Sequence, residues 1–359
     1  MPVYEIKRTR TALRKAHTMK RNIADLGVKQ LESLIVSWGM PGFHAKQIFT
    51  WIYQRGVFDF DTMSDLPLSL RQRLAAECLP GTIRLEQTRR SADRTEKFLF
   101  SLPDSGLIEA VSIPAKGRVT GCISSQVGCK FACRFCVSGK TGFKRDLTAG
   151  EMIEQALYLK HRSSSKKLTH LVFMGTGEPL DNYDNVLAAI RIMNAKHGLN
   201  IGARRITIST SGLIPQIDRL AAEGLQIELS VSLHAADDKT RSMLMPVNKR
   251  YPLKDLIAAC RAYRANTGRQ VTFEYILIRG VNSSLADAQK LGTILRGFDC
   301  KVNLIPLNAH GGEGLEPPKT NDVLFFKNAL SKCGIRATVR KARGEDIEAA
   351  CGQLRARYQ

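Results

Sequence analysis

Apolar positions follow three successive patterns along this chain, and each predicts a different arrangement of elements. From Val28 to Trp38 (Val-Lys-Gln-Leu-Glu-Ser-Leu-Ile-Val-Ser-Trp) they recur at helical intervals. Gly39, Pro41 and Gly42 end that run, and two further helices are expected at about 44–54 and 70–77. Between 82 and 116 the spacing shortens to alternation, in Thr82–Leu85, Lys97–Leu102 and Leu107–Ile113. Asp104-Ser-Gly106 marks a turn between the last two. Beyond 117, short apolar runs at 118–124, 168–174, 204–210, 226–233, 270–278, 301–306 and 335–341 read as strands. Amphipathic stretches at 148–163, 182–197, 214–223, 252–266, 284–297 and 320–333 read as helices. Strands alternating with helices imply a parallel sheet. About six units suit a partial (β/α)6 barrel better than a closed eight-fold one. The expected fold is α/β, a partial barrel with a small N-terminal helical accessory domain. The boundaries read as a basic arm at 1–21, the helical domain at 22–80, a β-rich extension at 81–116, the barrel at 117–344 and a C-terminal segment at 345–359.

Composition adds a partner class. Lys and Arg number 54 against 33 Asp and Glu in 359 residues, a formal charge of +21 with a pI near 9.8. Such an excess points to a polyanion, nucleic acid first. The arm concentrates Lys7, Arg8, Arg10, Arg14, Lys15, Lys20 and Arg21 against Glu5 alone; it is equally readable as a nucleic-acid contact or a solvated terminus. No apolar run reaches the roughly 18–20 residues of a membrane span, and the N-terminus has no apolar leader. With nine cysteines, that combination favours a cytoplasmic protein with metal-binding or catalytic thiols over a disulfide scaffold.

The cysteines are not scattered evenly. Cys129, Cys133 and Cys136 have the spacing C-x3-C-x2-C, with Cys122 seven residues upstream. Soft thiolates set this close indicate iron–sulfur or zinc ligation. A zinc site usually closes with a fourth ligand, often from a paired C-x2-C, and none is present. Three cysteines on a four-iron cluster leave one iron open to a small molecule. The ends of the predicted strands are polar or glycine-rich: Gly175-Thr-Gly177-Glu178-Pro-Leu180, Ser209-Thr-Ser-Gly212, Ser232-Leu233-His234 and Pro306-Leu-Asn308. Singly, each suits a helix cap or a satisfied polar residue; four on one rim suit a ligand pocket. Glu109 lies in an apolar strand, where alternation by itself places it toward solvent. Glu345, Asp346 and Glu348 are expected near a helix start. Cys351 before Gly352 reads as an approachable thiol at a turn, whereas Cys78, Cys260, Cys300 and Cys333 read as ordinary buried residues.

Together these stretches resemble the RlmN/Cfr family of radical S-adenosylmethionine (SAM) RNA methyltransferases. The resemblance spans roughly 22–354 and rests on Cys122-Ile-Ser-Ser-Gln-Val-Gly-Cys129, the cysteine triad, Met174–Leu180, Ser232–His234, Arg241–Asn248, Phe273–Tyr275, Val302–Pro306 and Gly344–Leu354. The Gly-Glu-Pro-Leu at 177–180 and the Arg-Gly-Glu-Asp at 343–346 are closer to the RlmN branch. Thr176 departs from it, since that branch commonly carries Met there.

The resemblance implies methylation of an adenosine at C2 in 23S rRNA and in tRNAs, with C8 methylation as the alternative within the family. It implies a [4Fe-4S] cluster on Cys129, Cys133 and Cys136, and SAM held by Gly177, Glu178, Ser209, Ser232, Leu233, His234 and Asn308. One SAM would methylate Cys351; a second, cleaved at the cluster, would yield the radical that activates that methyl group toward adenine. Cys122 would resolve the protein–RNA adduct through a transient disulfide with Cys351, and Glu109 would accept a proton. A monomer served by an external flavodoxin-like electron donor is expected. Two readings from another class remain, a non-catalytic iron–sulfur RNA-binding protein and a zinc-ribbon-like RNA-binding module; neither gives Cys122 and Cys351 a role.

Overall fold

The computed structural model describes residues 20–165, 168–308 and 314–354. Apart from Lys20 and Arg21, the basic arm lies outside the described residues. Helices Val28–Ser37, His44–Phe49 and Leu68–Glu77 form the N-terminal unit, and a short π-helical turn, Thr50–Gln54, prolongs the second. Strands β1 (Arg21–Asn22) and β2 (Cys78–Leu79) pair in parallel and bring its two ends together. Leu31, Ile35, Phe49, Tyr53, Phe60 and Leu70 are buried in it, and its core is continuous with that of the main sheet. Phe43, at the start of the second helix, is 58% exposed. Glu154 fastens the unit to the barrel by accepting bonds from Asn22 Nδ2 (2.6 Å), Thr82 N (2.6 Å) and Ile83 N (2.8 Å).

The main sheet has ten strands. β3 (Arg84–Arg90), β4 (Glu96–Ser101), β5 (Leu107–Ala115) and β6 (Arg118–Cys122) run antiparallel as a meander. A two-stranded ribbon, β7 (Gln126–Gly128) with β8 (Phe143–Asp146), follows as a separate sheet. β9 (His170–Phe173), β10 (Ile206–Thr210), β11 (Glu228–Ser232), β12 (Val271–Leu277), β13 (Cys300–Pro306) and β14 (Arg336–Val339) then add in parallel. The order is β14-β13-β12-β11-β10-β9-β6-β5-β4-β3. β6 is the switch: it pairs antiparallel with β5 and parallel with β9. Helices 149–161, 183–194, 214–221, 253–267, 285–294 and 320–332 connect successive parallel strands from β6 to β14. These are six β/α units with the N-terminal helical unit, as the apolar pattern predicts. The first of these helices opens with a capping box in which Thr148 and Glu151 each satisfy the other's backbone N–H.

No helix among the described residues is long and apolar enough to cross a membrane. Cys78, Cys260 and Cys300 are buried as expected, but Cys333 is exposed. A short helix, Asp238–Leu244, has no counterpart in the sequence reading.

Candidate active site at the strand ends

Chain reversals forced by close packing set the floor of the site. After Cys122, Ser124 is held by Gln155, whose Oε1 accepts from Ser124 N (2.8 Å) while its Nε2 donates to Ser124 O (3.1 Å). Ser125 N and Gln126 N both donate to Thr176 O, so the segment lies directly against the loop after β9. That contact excludes side chains. A Cβ on Gly175 would meet the Ile123 carbonyl at 2.7 Å, and one on Gly177 would meet Gln126 Cβ at 2.6 Å. Gly177 also has φ +109°, a conformation L side chains rarely adopt. Glu178 is buried; its Oε2 accepts from Ser211 N (2.7 Å) and its Oε1 from Leu180 N (3.2 Å). Burial pushes its carboxyl upward, against the opposing pull of the Ser211 and Thr210 bonds. The chain itself therefore uses Glu178 to tie the β9 loop to the end of β10.

The other rim residues sit at neighbouring strand ends. Ser209 is half-buried on β10, Ser232 and Leu233 close β11, and Asn308 lies two residues past β13. His234 is buried with φ +58°; its Nδ1 accepts from Ile276 N at 3.0 Å, which leaves the ring proton on Nε2. Burial, reinforced by Arg241, pushes its pKa down to about 3. Arg241 is fully buried and holds this rim: its guanidinium donates to the carbonyls of Leu233 (3.1 Å), Ser211 (2.8 Å) and Ser232 (3.1 Å) and to Asn248 Oδ1 (2.7 Å). The sequence marks Arg241 only as part of a shared stretch; its anchoring role shows only once three chain segments converge on it.

Cys129, Cys133 and Cys136 occupy the loop between β7 and β8, all three half-buried. The loop is tightly wound: Gly128 and Ala132 have positive φ, Cys129 N donates to Gly142 O (3.1 Å) and Cys136 N to Cys133 O (3.0 Å). It is pinned to the rim by the Phe135 ring, edge-on to His234 at 4.6 Å, and by Arg134 N donating to Leu244 O (3.0 Å). Burial pushes the Cys129 thiol up to about 12 and raises Cys133, to which the neighbouring Cys136 and Cys129 add. Among the described residues no three His, Cys, Asp or Glu side chains converge closely enough to hold a single metal ion. The three soft thiols nonetheless share one loop.

The C-terminal segment completes the site by crossing from β14 to the hairpin between β3 and β4. Gly344 N donates to Asp93 Oδ2 (3.2 Å), Ala92 N to Asp346 Oδ2 (3.2 Å) and Lys97 Nζ to Glu348 O (3.3 Å). Glu345–Ile347 is a single 3-10 turn, so the acidic residues at 345–348 do not open a helix as expected; Asp346 caps the hairpin instead. Ile347, Ala349 and Leu354 pack with Val111 and Cys122. Val137 N donates to Gly352 O (2.8 Å) and Ser138 Oγ to Leu354 O (2.9 Å), joining this segment to the cysteine loop.

Cys351 lies between these anchors. It is accessible to water yet has dense protein around it, which raises its thiol while Arg340 opposes the rise. Cys122 is buried; burial, with Cys351 adding to it, pushes its pKa up to about 12. None of the nine cysteines is bonded to another, so the expected Cys122–Cys351 disulfide is not formed here.

Glu109 corrects the alternation reading. It is 2% exposed, not solvent-facing, and pairs with Lys97 Nζ at 3.1 Å. Leu99 lies opposite Glu109, so Lys97 is its diagonal neighbour. Only the strand register could have revealed that pair.

Comparison with known proteins agrees with this geometry. Residues 123–290 match the family model described as the radical SAM superfamily, and residues 21–79 the one described as the ribosomal RNA large subunit methyltransferase N-terminal domain. A probable dual-specificity RNA methyltransferase RlmN from Thermoanaerobacter sp. is 44% identical over 94% of this chain and 98% of its own length. A protein of the same description from Heliobacterium modesticaldum is 45% identical over 91% of this chain and 87% of its own. A crystal structure of a radical SAM methyltransferase from Sphaerobacter thermophilus superposes with a TM-score of 0.91 at 46% identity, covering 94% of this chain and all of that one.

Proposed function

Because this chain belongs to the RlmN family of radical SAM RNA methyltransferases, we propose that it methylates C2 of an adenosine in 23S rRNA and in tRNA. The observation that carries the reading is the docking of the Cys351 segment onto both the cysteine loop and Cys122.

The donor set suits a [4Fe-4S] cluster. Three thiols of one loop are a soft set, and a four-iron cluster, unlike a single ion, does not need its ligands to meet at one point. Cys129, Cys133 and Cys136 would hold the cluster. Gly177, Glu178, Ser209, Ser232, Leu233, His234 and Asn308 would meet SAM along the strand-end rim. When bound, the pair supplies a methyl group by displacement and a carbon-centred radical by reductive cleavage, with the electron from an external flavodoxin-like donor in the cytoplasm.

The protein's own groups divide the remaining work. Cys351 is open to water and Cys122 is not, so the methyl group goes to Cys351. Cys351 then carries the one-carbon bridge to the base. Burial favours the protonated form of Cys122 in the resting protein. After losing its proton, Cys122 attacks the Cys351 sulfur; the sulfur–sulfur bond of a transient disulfide forms as the sulfur–carbon bond to the base breaks, its electron pair stays on that carbon, and a proton taken up there completes the methyl group. Glu109, held in the same strand pair by Lys97, accepts a proton.

The test is Cys122→Ala expressed anaerobically. We expect RNA covalently attached to the purified protein and digestible to an adenosine joined to Cys351 through one carbon, with the linked carbon identified as C2 by mass spectrometry. Linkage at C8 would reassign the regiochemistry. Protein that cleaves SAM but carries no adduct would overturn the roles given to Cys122 and Cys351.

A further inference from the structure

A second cationic site lies at the other end of β6. Cys122 ends this strand at the rim and Arg118 begins it, about 13 Å away at the rise of an extended chain. Around Arg118 is a cleft of about 530 Å³, open to solvent, lined by Arg90, Arg94, Arg118, Glu96, Ser164 and Ser165 among others. We propose that this cleft binds the phosphodiester backbone of the RNA substrate at a point remote from the modified base, an inference that rests on the RNA methyltransferase reading above.

The charge of the cleft is available to a ligand. Among the described lining residues the one carboxylate, Glu96, is 1% exposed and already engaged: Oε1 accepts from Arg90 Nε (2.8 Å) and Oε2 from Ser164 N (2.9 Å). Glu96 therefore fixes Arg90 and the Ser164 turn in place and repels little. Arg94 and Arg118 are exposed, and among the described residues neither has a carboxylate within ion-pair distance. Asp93, beside Arg94, is turned away, accepting from Thr95 N (2.9 Å) and Gly344 N (3.2 Å). Arg94 itself has φ +68° at the tip of the β3–β4 turn.

The chemistry of the lining selects backbone over bases. Guanidinium and hydroxyl groups match phosphate oxygens. Among the described residues no aromatic ring lines the cleft, so these offer no platform for stacking an unpaired base. The hairpin that carries Arg94 also holds Gly344 and Asp346 of the segment bearing Cys351. A phosphate seated here is thus referenced to the same turn that positions the methyl acceptor.

The experiment compares wild type with Arg94→Glu/Arg118→Glu, both cluster-loaded, for binding of tRNA and of a 23S rRNA fragment over a range of salt concentrations. Arg94→Gln/Arg118→Gln tests the loss of two contacts without added repulsion and serves if the Glu pair fails to fold. Removing two phosphate contacts is expected to flatten the slope of log affinity against log salt by about 1.4–1.8 and to weaken binding at least tenfold at low salt. SAM cleavage without RNA should be unchanged. A Gln variant with the wild-type slope and affinity, alongside a wild type that binds and methylates RNA, would overturn the cleft and leave the functional reading intact. A wild type that neither binds nor methylates RNA would overturn the reading itself and the cleft with it.

Discussion

His234 shows at the residue scale what burial at the rim does. Its neutral ring accepts a backbone hydrogen bond and cannot do so once protonated at Nδ1. The folded pKa, about 3, lies below the ordinary unfolded value near 6.5. Between those values the unfolded chain binds the proton and the folded one does not, so stability falls as pH drops through that window, by up to about 1.4 kcal/mol per pH unit. Urea unfolding at pH 7.5 and 5.5 should show this loss in the wild type and a smaller one in His234→Asn, a residue that tolerates the left-handed backbone. Residue chemistry was unevenly legible in the sequence. The cysteine triad is a local spacing and could be read directly. The Lys97–Glu109 pair depends on which residues face each other across two strands, and alternation alone gave Glu109 the wrong environment.

At the scale of elements, one side chain joins the ends of β10 and β11. Arg241 sits on the helix Asp238–Leu244 and reaches the carbonyls that close β10 and β11. Replacing it with Met leaves several buried carbonyl oxygens without donors, each costing about 1–3 kcal/mol. We expect Arg241→Met to lose about 3 kcal/mol or more of unfolding free energy, and Arg241→Lys to recover only part of it because an ammonium lacks the planar fork. Chemical denaturation of the two variants checks this. The six β/α units were readable because each buried strand is a short apolar run followed by an amphipathic helix. The helix at 238–244 was not, since seven residues give less than two turns of pattern. The β7–β8 ribbon escaped for a related reason: strands of three and four residues are too short to show alternation.

For the whole molecule, the decisive feature is that the sheet never closes on itself. β3 and β14 are its two edges, and the C-terminal segment spans the opening between them. Sequence periodicity announced a parallel series and a separate β-rich stretch. It could not show that β5 pairs with β6 and makes them one sheet, because alternation within a strand does not say which strand lies beside it. The surplus of basic residues was legible as a number, but the arginine cleft is an arrangement of residues 90–165 that only the fold brings together.

The segment that bridges the two edges also bears on the order of folding. Its bonds to the hairpin join residues 251 and 254 positions apart in the chain. Contacts this distant in sequence come with the largest loop-closure entropy, and little compensates it until the strands between them are in place. They are therefore expected to form after the rate-limiting barrier, so that the segment carrying Cys351 settles against the Cys122 strand only late in folding. Interactions absent from the transition state govern unfolding rather than folding. Asp346→Ala, which removes the bond to Ala92 N, should speed unfolding a few-fold in stopped-flow denaturant jumps and leave the refolding rate unchanged. A slowed refolding limb would instead place this clasp in the folding nucleus. In kinetic terms, this clasp is expected to form last and to open first.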